Sequence, residues 1–86
     1  MADGIGVVVL LFASVREKVG RGKLELRMCE GSTTSDLLAA LAQQHPALAA
    51  VLPSCALSVN RRYLSTEQVA LSDGDEIAVI PPVSGG

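Results

Sequence analysis

The sequence predicts an α+β domain, a mixed sheet of four to five strands with one main helix packed on one face. Three observations carry this. Apolar, β-branched runs stand near both ends of the chain, at residues 7–12 and 77–80. Only one long stretch, starting after the Gly31-Ser32-Thr33 turn cluster, has leucines at helical spacing. The chain is 86 residues long, which is room for one domain and one compact core.

The run Val7-Val8-Val9-Leu10-Leu11-Phe12 is continuous and β-branched, the pattern of a central strand covered on both faces. Residues 13–19 fit a short helical turn that stops at Gly20. Lys23-Leu24-Glu25-Leu26-Arg27-Met28 alternates polar and apolar, a strand with one solvated face. The link Arg21-Gly22 is short, so these first two strands are expected to pair as a hairpin-like unit. Thr34 or Ser35 supplies the N-cap of the main helix. That helix carries Leu37, Leu38, Leu41 and Ala42, runs through Gln43-Gln44 and ends by His45, because Pro46 disfavours continuation. Residues 48–52 add a further turn before Pro53. Residues 55–60 form a strand, Arg61-Arg62 a turn and Tyr63-Leu64 a short return. Asp73-Gly74 is a tight turn, and Ile77-Ala78-Val79-Ile80 is the last strand, ended by Pro81-Pro82, since proline cannot donate to a ladder. One helix crossing a sheet in ββαββ order predicts a β-grasp, whose first and last strands run parallel at the centre. The domain is expected over residues 1–80, with residues 81–86 as an extended tail.

Composition excludes several functions. The net charge is −2 and the only aromatic residues are Phe12 and Tyr63, so a cationic stripe with stacking aromatics for nucleic acid is absent. An anionic membrane surface is equally unsuited. The apolar run at residues 5–15 is shorter than the roughly 18 residues needed to span a bilayer, and its flank, Met1-Ala2-Asp3-Gly4, lacks the basic residues of an export signal. The expected location is cytoplasmic and reducing. Cys29 and Cys55 lie far apart without metal-ligand spacing and read as free thiols at buried or half-buried positions. Two cysteines also fall short of the four thiolates of a ferredoxin cluster. His45 reads as a surface or capping residue at a helix C-terminus. Asp73, Asp75 and Glu76 offer too few oxygens for calcium, so no metal site is expected and the turn reading prevails.

The chemistry concentrates in Pro81-Pro82-Val83-Ser84-Gly85-Gly86. Two prolines favour an extended exit from the last strand. Six residues at about 3.3 Å each reach roughly 20 Å beyond the sheet. Gly85 and Gly86 carry no side chains, so this end of the backbone can thread a narrow tunnel in another protein. A terminal carboxylate has a pKa of about 3.3–3.7 and is a poor electrophile at neutral pH. Acyl chemistry there requires prior activation, for instance as an acyl-adenylate.

In these segments the chain resembles the small subunits of molybdopterin synthase, the sulfur carriers of molybdenum-cofactor biosynthesis. Leu10-Leu11-Phe12-Ala13-Ser14-Val15-Arg16-Glu17 resembles the family's first strand and the turn after it. The stretch from Asp73-Gly74-Asp75-Glu76 through Pro81-Pro82-Val83-Ser84-Gly85-Gly86 resembles its last strand and tail almost residue for residue, while residues 31–54 match only in pattern. The resemblance implies a ubiquitin-like β-grasp and a cycle in which the chain binds no cofactor of its own. An E1-like adenylyltransferase, the nucleotide-binding partner, consumes ATP to adenylate Gly86. A sulfur donor converts the adenylate to a thiocarboxylate. The large synthase subunit then receives the tail, in a heterotetramer with two large subunits at the centre. Gly86 would bear the sulfur and Gly85 would thread the tunnel. Phe12, Tyr63 and Ile80 would dock on the partner together with Pro81, Pro82, Val83 and Ser84. Catalytic side chains would belong to the partner, so the isolated chain is not an enzyme. A ubiquitin-like protein modifier forming isopeptide bonds through Gly86, a thiamin-type sulfur carrier and a pure interaction module are the alternatives. Against the modifier stands the Pro-Pro-Val-Ser spacing before Gly-Gly; the thiamin-type carriers are typically shorter and end in Ala-Gly-Gly.

Overall fold

The computed structural model describes residues 4–65 and 68–82. Its elements run β1 (Gly4–Leu11), α1 (Ala13–Val19), β2 (Lys23–Cys29), α2 (Thr34–Gln44), β3 (Ala56–Val59), β4 (Arg62–Tyr63) and β5 (Glu76–Ile80). Short 3-10 turns at Pro46–Leu48 and Leu52–Ser54 link α2 to β3. The five strands form one sheet in the order β2-β1-β5-β3-β4. β1 and β5 are parallel, and the other neighbours are antiparallel. The chain is thus the predicted β-grasp, with β5 as the middle strand.

Local chemistry sets most element ends. Gly20 closes α1 in the left-handed region, at φ 86°, and its N–H returns to the Arg16 carbonyl at 2.7 Å. α2 begins one residue earlier than Thr34 or Ser35 as cap would have it. Thr33 is the N-cap: its hydroxyl accepts from the Asp36 N–H at 3.4 Å, and the Asp36 carboxylate accepts from the Thr33 N–H at 2.8 Å. Thr34 is instead buried in the first turn, and its hydroxyl accepts from the Val69 N–H at 3.2 Å. α2 ends at Gln44 with His45 as C-cap, ahead of Pro46 as expected. The chain beyond it tightens into two 3-10 turns rather than one, each placing a leucine, Leu48 and Leu52, in the core.

The core lies between α2 and one face of the sheet. Val7, Val9 and Leu11 of β1, Ile77 and Val79 of β5, and Leu37 and Leu41 of α2 are completely or almost completely buried. Each such side chain contributes about 1.5–3 kcal/mol of transfer free energy. β1 is not covered on both faces, contrary to the expectation from its unbroken apolar run. Its alternate residues Val8 and Leu10 are only half-buried, because α2 covers a single face. No described helix is long and apolar enough to cross a membrane.

Candidate functional site

The open face of the sheet follows from register. Lys23 pairs with Leu10, Leu10 with Ala78, Ala78 with Ser58, and Ser58 with Tyr63. Alternation along each strand puts these five residues in one row across the sheet, on the side away from α2. Ala78 and Ser58 are small and lie deep in that row, at 9% and 6% exposure. Around them stand Leu10, Phe12, Tyr63, Ile80, Arg61 and Glu76, enclosing a shallow cup of about 360 Å³. The sequence-predicted residues Phe12, Tyr63 and Ile80 therefore meet in one depression.

Phe12 and Tyr63 are the two large apolar side chains that the described chain leaves exposed, at 45% and 69%. Phe12 is held by its own backbone. It caps α1 in extended conformation, and its carbonyl accepts from the N–H groups of Val15 and Arg16 at 3.1 and 3.2 Å. Ala13 then turns the chain with φ at 49°, a left-handed geometry that costs an alanine roughly 1–2 kcal/mol. Tyr63 rides on β4, opposite Ser58. The turn before it is Asn60-Arg61, one residue earlier than the expected Arg61-Arg62, and both of its residues have positive φ, 51° and 72°.

Ile80 is half-buried and ends β5. The next residue, Pro81, was expected at the partner contact but is buried within the chain itself, whereas Pro82 is exposed. Pro81 thus roots the exit from the sheet and offers little free surface in the chain alone. Val83, Ser84, Gly85 and Gly86 lie outside the described residues.

The other polar candidates have structural partners. The Asp73 carboxylate accepts from the Gly6 N–H at 2.7 Å, while the Gly74 N–H donates to the Gly6 carbonyl at 2.7 Å. The Asp75 carboxylate accepts from the Ser72 N–H and from the Asn60 side-chain amide at 2.7 and 2.9 Å. These acids fasten the turn that leads into β5. Cys55 is half-buried and donates to the Val51 carbonyl at 3.4 Å; burial pushes its thiol pKa up, which makes it a poor nucleophile. Cys29 corrects the expectation of two shielded thiols. It is exposed, because it follows Lys23, Glu25 and Arg27 on the open-face side of an edge strand.

Ser58, Ala78 and Arg61 line the cup, and Asn60 stands in the turn beside them; sequence reasoning gave none of the four a role. The tolerance of asparagine for left-handed turns was the available signal for Asn60. Ser58 and Ala78 gain meaning only from the strand order.

The model of the ThiS family matches residues 9–86. The molybdopterin synthase sulfur carrier subunit of Chlamydomonas reinhardtii is 42% identical over 93% of this chain and 98% of its own length. The crystal structure of small archaeal modifier protein 1 from Haloferax volcanii superposes with a TM-score of 0.84 at 27% identity, covering 93% of this chain and all of that one. In the protein–protein complex of subunits 1 and 2 of the molybdopterin-converting factor from Helicobacter pylori, the matching chain gives a TM-score of 0.69 at 26% identity, covering 95% of this chain and 100% of that one.

Proposed function

The chain belongs to the ThiS family, and on that premise we propose that it is the sulfur carrier of molybdopterin synthesis, a non-catalytic small subunit whose reacting group is its own C-terminus. The observation that carries the reading is the continuity between cup and tail. Ile80, on the rim of the cup, is the last residue of the central strand, and buried Pro81 follows it directly. A partner seated on Phe12, Tyr63 and Ile80 is thereby seated where the tail leaves the sheet. Pro82, Val83 and Ser84 then span the distance to its active site.

The chemistry falls to Gly86. An E1-like adenylyltransferase joins its carboxylate to AMP, releasing pyrophosphate. Sulfide attacks the activated carbonyl, the C–S bond forms and AMP leaves, which yields the thiocarboxylate; a persulfide donor would give an acyl disulfide, whose S–S bond a thiol then cleaves to the same product. Gly85 lets the charged tail enter the large synthase subunit, where the sulfur passes to the pterin precursor. The large subunit as partner is supported by the two-subunit Helicobacter complex that contains the matching chain. The need for activation follows from the inertness of an ionised carboxylate; the adenylyltransferase and its use of ATP are what the family resemblance implies. Folding of the domain expected over residues 1–80 and threading of the tail expected over residues 81–86 are separate tasks in this reading, with buried Pro81 on the side of the fold.

The test is intact mass after incubation with the cognate adenylyltransferase, ATP and a sulfur source, followed by molybdopterin formation with saturating large subunit. The full-length chain is expected to exchange one oxygen for sulfur at Gly86 and to support product formation. The chain lacking Gly86 is expected to support none and a chain extended by one alanine almost none, because one residue moves the carboxylate by about 3.3–3.6 Å. Folding stability should change by no more than about 0.5 kcal/mol in either. Wild-type product formation by the Gly86-deleted chain overturns the reading. A second reading, protein modification, is favoured by the likeness to the archaeal modifier. Gly86-dependent covalent conjugates in cell lysate would decide for it.

A further inference from the structure

We propose that Asn60 is a positioning residue for partner docking, whose side-chain amide ties the β3–β4 turn to the start of β5 and so holds Arg61 and Tyr63 at the rim of the cup. The proposal rests on the reading of that cup as the docking surface.

β3 and β5 are antiparallel, with Ser58 opposite Ala78 and Val59 opposite Ile77. The next residues in register are Asn60 and Glu76. The Asn60 N–H donates to the Glu76 carbonyl at 2.8 Å, one half of the paired bonds that opposed antiparallel residues exchange. The other half is missing from the main chain, because Asn60 has left the strand with φ at 51°. Its side chain supplies it instead: Oδ1 accepts from the Glu76 N–H at 2.9 Å. Nδ2 of the same amide donates to Asp75 Oδ1 at 2.9 Å, and Asp75 Oδ2 accepts from the Ser72 N–H at 2.7 Å. One amide thus continues the ladder past the point where the backbone turns away. It also joins three segments: the hairpin turn, the loop before β5 and β5 itself.

Both neighbours of this latch matter for the cup. Arg61 follows at φ 72°, a geometry that an arginine adopts only when its surroundings impose it, and its side chain lines the cup. Tyr63 sits on a strand of two residues, whose only strand partner among the described residues is β3. So short a strand cannot fix its own position. The latch binds the turn at its head to the central strand, from which Ala78 and Ile80 enter the same cup.

The test uses full-length chain and purified molybdopterin synthase large subunit, with binding referred to the folded fraction. N60G keeps the left-handed turn and removes the amide. N60D keeps the shape but places a carboxylate against Asp75. The exchange N60D/D75N restores the pattern with the two groups swapped. The carboxylate now at position 60 can accept both from the Glu76 N–H and from the amide now at position 75. The oxygen of that amide can still accept from the Ser72 N–H. N60G and N60D are expected to weaken binding roughly tenfold, and the exchange to regain it to within about threefold. Hydrogen exchange at the Glu76 amide should quicken in N60G and slow again in the exchange variant. Thiocarboxylate formation and turnover at saturating carrier should stay at the wild-type level throughout, since the tail is untouched. Phe12→Asp serves as the control for the cup. Wild-type binding by N60G while Phe12→Asp binds weakly overturns the latch alone. An exchange variant as weak as N60D overturns it too. Wild-type binding by Phe12→Asp overturns the docking cup, and the latch with it.

Discussion

The two faces of β5 carry similar residues and meet different fates. Ile77 and Val79 are completely buried against the helix layer, among Val7, Val9, Leu37 and Leu41. Ala78 and Ile80 point the other way, into a cup whose largest members, Phe12 and Tyr63, remain open to solvent. One face is saturated by the chain's own helix. The other has no second layer among the described residues, so its apolar groups are available to another protein. A strand that is the middle of the core and also the root of the tail connects the two. Substitutions on opposite sides of it should therefore separate folding from docking.

The largest effect is expected on the covered face. Leu41 of α2 is completely buried, so Leu41→Ala should cost about 2–5 kcal/mol of stability through lost burial and the cavity left behind. Denaturant unfolding gives that number, and titration with the large subunit gives the second. The folded fraction of Leu41→Ala should bind as the wild type does. A binding defect larger than the loss of folded chain would show that the faces are not separable.

The opposite outcome is expected on the open face. Ile80→Asp puts a charge in a cup that a partner must dehydrate, and should weaken binding by roughly 10–100-fold, about 1.4–2.8 kcal/mol. Its folding stability should fall by less than that, because Ile80 is only half-buried in the free chain. Equal losses of stability and affinity would collapse the distinction between the faces.

The covered face was much more legible in the sequence than the open one. Period-two alternation marked β2, a continuous β-branched run marked β1, and Gly20 and Pro46 marked two helix ends, all from local chemistry. The same unbroken run misled on burial, since Val8 and Leu10 are as apolar as Val7 and Val9 but have no helix above them. Thr33, Thr34 and Ser35 are equally plausible caps in isolation; the reciprocal bonds with Asp36 select the first. The cup was legible only through resemblance, in Phe12, Tyr63 and Ile80. Its floor joins residues 58 and 78, which no local pattern brings together, and its latch depends on a turn whose second residue is an arginine at positive φ. Pro81 reads as part of a tail by composition, yet it is buried, because the strand's packing extends one residue past its last ladder bond.

The smallest expected effect concerns a residue that serves both faces alike. Gly74 turns the chain into β5 at φ 87°, and a Cβ built there would meet nothing within 4 Å. Any cost of a side chain at this position is therefore conformational and not steric crowding by neighbours. Gly74→Ala should lower stability by about 1 kcal/mol or somewhat more, the penalty of holding an alanine in the left-handed region. Gly74→Asn should lose less, because asparagine tolerates that region better. The turn is pinned through its backbone, by the Gly74 N–H on the Gly6 carbonyl, and both substitutions keep that N–H. Register between β1 and β5 should hold in either variant, so neither face of β5 should shift. Thermal unfolding should thus rank wild type above the asparagine variant and that above the alanine one, while binding and sulfur transfer by the folded chain stay at the wild-type level. An asparagine variant as unstable as the alanine one would show that backbone geometry is not what the glycine supplies. A loss of binding in the folded fraction would show that the turn acts on the open face directly.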